Sequence, residues 1–72
     1  MADLKFFSYL SDLIGHRKIE LSLEKPTPLR EMLPSSFPET NIIILINEKA
    51  GSLDSLIKNE DSVVLMPILS GG

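Results

Sequence analysis

Cysteine is absent from this 72-residue chain, and with it go a disulfide framework, a thiolate metal site and a cysteine nucleophile. A surplus of basic charge is missing too. Seven Lys and Arg against ten Asp and Glu leave a net charge of −3. That is the wrong sign for a protein that holds nucleic acid through clustered cations, and it suits a basic protein groove instead. No Walker-type loop and no GxGxxG stretch occurs. The length allows one domain, near the lower limit at which a chain buries enough surface to fold alone. An enzyme that binds ATP or a dinucleotide normally needs a larger α/β unit, so any activation chemistry has to come from a partner. The start, Met1-Ala2-Asp3-Leu4-Lys5, has no basic region leading into a long apolar core, and no apolar run reaches membrane-spanning length. These absences predict a soluble, cytoplasmic protein with no membrane and no nucleic-acid partner.

What is present is a series of short periodic segments. Leu4 to Leu10 alternates as a strand, with Leu4, Phe6, Ser8 and Leu10 on one face and Lys5, Phe7 and Tyr9 on the other. Ser11 to Ile14 suits one helical turn, and Gly15 lets the chain reverse. Arg17 to Leu23 forms a second strand, Ile19, Leu21 and Leu23 inward, so the first two strands make a hairpin. Thr27 reads as the N-cap and Pro28 as the first residue of a helix ended by Pro34, with Leu29, Met32 and Leu33 as its apolar stripe. Ser35 to Thr40 is a loop from which Phe37 folds back onto the core. The run Ile42-Ile43-Ile44-Leu45-Ile46 reads as a strand buried on both faces, in the middle of the sheet. Asn47 to Gly51 reads as a turn. Leu53, Leu56 and Ile57 fit a helical turn or a packed loop, and Asn59 suits a left-handed position before the last strand, Ser62 to Met66. Strand, strand, helix, strand, strand predicts an α+β mixed sheet with a helix across one face. The economical candidate is a β-grasp fold whose first and last strands lie parallel at the centre. The expected core is Leu4, Phe6, Ile19, Leu21, Leu29, Leu33, Ile44, Val63 and Leu65.

The sequence closes on Ser70-Gly71-Gly72 directly after Val63-Val64-Leu65-Met66-Pro67-Ile68-Leu69. A capping or turn glycine needs chain after it. Two at an end give a thin segment with little apolar surface to anchor it, suited to insertion into another protein's active site. The division expected is a domain over 1–68 and a flexible tail over 69–72. If the first and last strands are neighbours, Phe7, Tyr9, Val64 and Met66 form one apolar patch away from the helix, and such patches often mark interfaces.

Phe6-Phe7-Ser8-Tyr9-Leu10 with Asp12-Leu13-Ile14-Gly15, then Asn59-Glu60-Asp61-Ser62-Val63, then Met66-Pro67-Ile68-Leu69-Ser70-Gly71-Gly72 resemble the ubiquitin-like sulfur carriers of the MoaD/ThiS family. The closest likeness is to MoaD, the small subunit of molybdopterin synthase, and it extends over essentially the whole chain. Many relatives have a second proline where Ile68 stands, a glycine where Asn59 stands and a longer helix than Pro34 permits. The resemblance implies that Gly72, threaded with Gly71, is adenylated by a ubiquitin-activating-type enzyme that uses ATP. It further implies conversion to a thiocarboxylate that gives its sulfur to a pterin precursor in the large subunit of molybdopterin synthase. Such a carrier binds no cofactor and is not catalytic alone. Partner contacts then fall on Phe7, Tyr9, Val64, Met66, Pro67, Ile68, Leu69 and Ser70. Sulfur donation to thiamine synthesis or transfer-RNA thiolation shares the same tail logic, as does protein modification through Gly72. A β-grasp interaction module with an inert diglycine is the reading from a different class.

Other chemistry is sparse. His16 sits in a turn with no nucleophile or carboxylate pattern and reads as a solvated residue. Ser70 belongs to no recognisable Ser-His-Asp set. Asp54, Glu60 and Asp61 lack EF-hand-like spacing and read as a solvated acidic loop.

Overall fold

The computed structural model describes residues 1–68. Alternation of Ala2, Leu4 and Phe6 with Asp3 and Lys5 makes β1, Ala2–Phe6, with the apolar set fully covered. The strand stops there rather than at Leu10. Ser8 takes φ 58° and ψ −141°, a region sparsely populated by anything but glycine, and the Leu10 N–H closes back on the Phe7 carbonyl at 3.2 Å. The chain turns into a helix, α1, Tyr9–Ile14. Leu10 is therefore buried from the helix and not from a strand. Gly15 ends α1 at φ 86°, its N–H donating to the Ser11 carbonyl at 2.8 Å, the left-handed cap that glycine adopts without Cβ strain.

Lys18–Leu21 forms β2, antiparallel to β1, shorter at both ends than the alternation predicts. The helix expected over Pro28 to Leu33 is absent. Thr27–Pro28 is instead a two-residue strand, β3, followed by a 3₁₀ turn over Leu29–Met32. Thr27 caps nothing; its hydroxyl donates to the Lys25 carbonyl. With Pro28 before it and Pro34 after it, the segment has too few residues to close successive i to i−4 bonds. Leu29 is nevertheless fully buried, so the apolar stripe does its packing from a tighter coil.

Ile42–Ile46 is β4 and Lys49–Ala50 is β5, joined by Asn47 and Glu48 with φ of 51° and 70°. Positive φ at both central residues is the two-residue hairpin turn whose twist matches its flanking strands. Leu56–Ile57, β6, pairs with β3 in a small second sheet. The last strand, β7, is Ser62–Pro67. Asn59 does not take the left-handed position; Asn41 and Asn47 do, while the Asn59 side chain accepts the Leu23 N–H at 2.8 Å.

The five-stranded sheet runs β2-β1-β7-β4-β5. β7 lies parallel to β1 and antiparallel to β4, so the last strand, and not the isoleucine-rich β4, is its middle. α1 packs against β1 and β7. Beneath the sheet Leu4, Leu10, Leu29, Ile57, Val63 and Leu65 are closed to solvent, joined by Ala2, Phe6, Phe37, Ile44 and Leu53. Phe37 does fold back, meeting Phe6 edge to face with ring centroids 6.0 Å apart, a pair worth about 0.5–1.5 kcal/mol beyond area burial. Ile19, Leu21 and Leu33, expected in the core, are half-buried at its margin, because two of them lie on the edge strand and one follows the short coil.

Candidate interaction face

Among the described residues the sheet is covered on one side only. Along β7, Val63, Leu65 and Pro67 point into the core while Ser62, Val64 and Met66 lie on the opposite face. The register extends that face: Ile43 lies opposite Met66, Leu45 opposite Val64, and Lys5 beside Val64 on the other flank. Ile43, Leu45, Val64 and Met66 thus form an apolar stripe, with Ile43 40% exposed. Phe7 extends it. Its N–H donates to the Leu65 carbonyl at 3.0 Å, continuing the β1–β7 ladder one residue past the strand, and its side chain is 50% exposed.

Tyr9 is not part of this stripe by strand register. The turn at Ser8 separates it from Phe7 and places it at the first position of α1, exposed together with Leu13 one turn on. Pro67 is buried at the end of β7 opposite Ile42 and offers no open surface. Ile68 is half-exposed, with its N–H bonded to the Asn41 carbonyl at 2.9 Å. Leu69, Ser70, Gly71 and Gly72, to which the tail expectations attach, lie outside the described residues. Ile43 and Leu45 are the members of the face that the sequence reading missed. An unbroken apolar run, mostly β-branched, looks buried on both sides, but next to the middle strand of a sheet covered on one side its odd-numbered positions face out.

Two polar clusters elsewhere have structural roles. Arg30 donates to Glu39 at 2.7 Å and to Asp54 at 2.9 Å, tying the 3₁₀ turn to two loops; all three side chains are well exposed, which limits the contribution to stability. Asp61 is no free loop acid. It accepts the Lys58 N–H at 2.7 Å and the Asn47 side-chain amide at 2.8 Å, and these bonds hold its carboxyl below the usual carboxylate range. Asn47 in turn accepts the Ser62 N–H at 2.9 Å, which fastens the hairpin turn to the start of β7. His16 is exposed beside Gly15 and Arg17. Among the described residues no cluster of His, Asp and Glu is arranged to hold a metal ion, and no helix is long and apolar enough to cross a membrane. In a shallow groove lined by Arg30, Leu33, Ser35, Phe37, Glu39 and Leu53, the Glu39 carboxylate is bonded to Arg30 rather than to the Ser35 hydroxyl.

No family model matches the chain, and no curated protein matches its sequence. Solved structures match it along nearly its whole length. The crystal structure of SAMP1 from Haloferax volcanii superposes with a TM-score of 0.74 at 18% identity, covering 99% of this chain and 98% of that one. A candidate molybdopterin converting factor subunit 1 from Pyrococcus furiosus gives 0.68 at 19% identity, covering 94% and 97%. The solution structure of the Haloferax volcanii HVO 2177 protein gives 0.70 at 13% identity, covering 99% and 85%. The chain has the ubiquitin-like β-grasp fold of these neighbours, a mixed sheet with one helix packed across it.

Proposed function

We propose that this chain is a ubiquitin-like sulfur carrier whose terminal Gly72 is the reacting residue. The observation that carries the reading is the placement of β7. It is the middle strand of a fold matched by SAMP1 and by a candidate molybdopterin converting factor subunit, and it leads through Ile68 into Leu69-Ser70-Gly71-Gly72. Those four residues span at most about 14 Å when extended, so a partner that binds the open face would receive Gly72 within that distance of Ile68.

A carboxylate with a pKa near 3.5 is ionised and a poor electrophile at neutral pH. In the proposed reaction a Gly72 oxygen attacks the α-phosphorus of ATP on an adenylating enzyme, and pyrophosphate leaves. Hydrosulfide, or a sulfur donor equivalent to it, then attacks the acyl carbon; the carbon–oxygen bond to AMP breaks and a thiocarboxylate remains. In transfer, that sulfur attacks an electrophilic carbon of the acceptor and displaces an oxygen leaving group from it; water then cleaves the acyl–sulfur bond, restoring the Gly72 carboxylate and leaving the sulfur on the acceptor as a thiol. Gly71 and Gly72, without Cβ atoms, suit a narrow channel. The chain contributes the docking face and the acyl group, its partners contribute the catalytic side chains, and a cytoplasmic location supplies the ATP. The acceptor we favour is the pterin precursor held by the large subunit of molybdopterin synthase, in keeping with the Pyrococcus furiosus neighbour.

The likeness to SAMP1, a small archaeal modifier protein, favours a second reading in which the acyl-adenylate passes to a lysine of another protein. Peptide mass analysis separates the two. A thiocarboxylate on Gly72, consumed when the large subunit and pterin precursor are added, supports sulfur transfer. A Gly72–lysine isopeptide without thiocarboxylate supports modification. Neither product in the presence of an active adenylating enzyme contradicts both.

A further inference from the structure

The exposed face carries an ordered charge pattern beside its apolar stripe. On the β1–β2 ladder Lys5 lies directly opposite Lys18, and Asp3 directly opposite Glu20. Both pairs belong to the uncovered face, since Ala2, Leu4 and Phe6 point the other way. Like charges directly opposite each other on adjacent strands are destabilising. A simple exchange, with each lysine facing an acid, would remove the repulsion. Instead the only relief among the described residues is diagonal, a 3.9 Å contact between Lys18 Nζ and Asp3, and Lys5 makes no ion pair among them.

The two pairs stand two residues apart on the ladder, with the basic pair on its last rung. Because β1 and β7 are parallel and Lys5 lies beside Val64, the basic pair sits at the end toward which β7 delivers its last residues. Phe7 follows at the same end, and the exposed Arg17, whose carbonyl accepts the Phe6 N–H, adds further positive charge there. The acidic pair lies at the Ser62 end. In a chain of net charge −3 this is a local reversal of sign, continuous with the apolar stripe of Val64, Met66 and Ile43.

We infer that Lys5 and Lys18 form a seat for a carboxylate of the partner protein, an aspartate or glutamate flanking an apolar patch on the adenylating enzyme. This rests on the carrier reading above and adds the partner's chemistry. A carboxylate between the two ammonium groups converts their repulsion into two attractions. The acidic pair two residues along repels the same group, so the pattern also favours one direction in which the sheet docks. Complementary charges of this kind govern encounter rate and register as much as affinity. A nucleic acid would satisfy the lysines but would meet the apolar stripe and an acidic remainder.

The test uses the full chain and a purified ubiquitin-activating-type enzyme from the same host, by calorimetric titration at low and high salt. Lys5→Glu should weaken binding about tenfold at low salt and flatten the salt dependence. It should also raise the Tm of the isolated chain, because a carboxylate opposite Lys18 replaces repulsion with attraction. Lys25→Glu, in the loop beyond the other end of β2, should change neither. Equal binding of wild type and Lys5→Glu overturns the seat and leaves the carrier reading intact, whereas no binding by the wild type contradicts both. A lower Tm for Lys5→Glu, an equal loss in Lys25→Glu, or binding of ATP by the isolated chain at the wild-type lysines also overturns the assignment, the last by giving the pair to phosphate.

Discussion

Replacing Asp61 with alanine tests how β7 is held in register. The Asp61 carboxylate accepts two hydrogen bonds, from the Lys58 N–H and from the Asn47 side chain, at 2.7 and 2.8 Å. Asn47 is simultaneously bonded to Ser62 through both its backbone N–H and its side-chain oxygen. A hydrogen bond to a charged group contributes about 1.5–3 kcal/mol when water is excluded. Here the site is only half-buried, and water can replace the carboxylate, so Asp61→Ala should lose about 1–2 kcal/mol in all. For a domain of this size that is a fall in Tm of about 5–15 °C. The pH dependence identifies the cause. The folded-state pKa of Asp61 lies below its ordinary value, so its stabilisation is complete above the unfolded value of about 3.9 and is lost as pH falls through the lower folded one. Urea denaturation of wild type and variant should therefore differ at neutral pH and converge in acid. A difference that persists unchanged in acid, or none at neutral pH, would refute the argument. Asp54→Ala, which removes an exposed partner of Arg30, serves as the control and should leave the midpoint nearly unchanged.

Three further outcomes are expected. Phe7→Lys should keep a wild-type melt, since the ring is half-exposed, while weakening partner binding about tenfold: re-exposed apolar area and a desolvated ammonium together reach about 1.4 kcal/mol. Calorimetric titration against the adenylating enzyme or the large synthase subunit measures it, and a collapsed melt would place Phe7 in the core. Leu65→Ala, at a fully closed site between β1 and β4, should lose about 2–5 kcal/mol, a large part of the roughly 4–11 kcal/mol available to 72 residues, seen as a much lower urea midpoint. Gly15→Val should destabilise the chain by at least about 1 kcal/mol through its φ of +86° even though the space around it is open, with thermal melting as the measurement.

The inward alternation of Leu4 and Phe6 and of Val63 and Leu65 was legible in the sequence, because period-two patterning beside a buried face tolerates no slip of register; the parallel adjacency of the first and last strands followed only from the β-grasp candidate. The first strand's length was not. Ser8 and Leu10 continue the alternation, and nothing local reveals that Ser8 adopts a glycine-like conformation, so Tyr9 looked like a strand neighbour of Phe7. Pro28 and Pro34 bracket the second segment too closely for a helix, yet Leu29, Met32 and Leu33 give the same stripe in a 3₁₀ coil. Phe7, Val64 and Met66 were readable as outward residues. Ile43 and Leu45 were hidden by their chemistry, since an isoleucine on the open face reads like one in the core. The opposition of Lys5 to Lys18 depends on hairpin register, which the connection through α1 leaves unspecified at the level of sequence.

Thiocarboxylate formation at Gly72 is open to intact-mass spectrometry. The chain is incubated with a ubiquitin-activating-type enzyme from the same host, ATP and a sulfur donor, and the mass at Gly72 is read before and after ATP is added. A sulfur carrier will show an ATP-dependent replacement of one oxygen by one sulfur, localised to Gly72 by fragmentation and absent from a chain lacking Gly72. An unchanged mass while the enzyme consumes ATP on this chain, or the same sulfur gain without Gly72, would contradict the carrier reading.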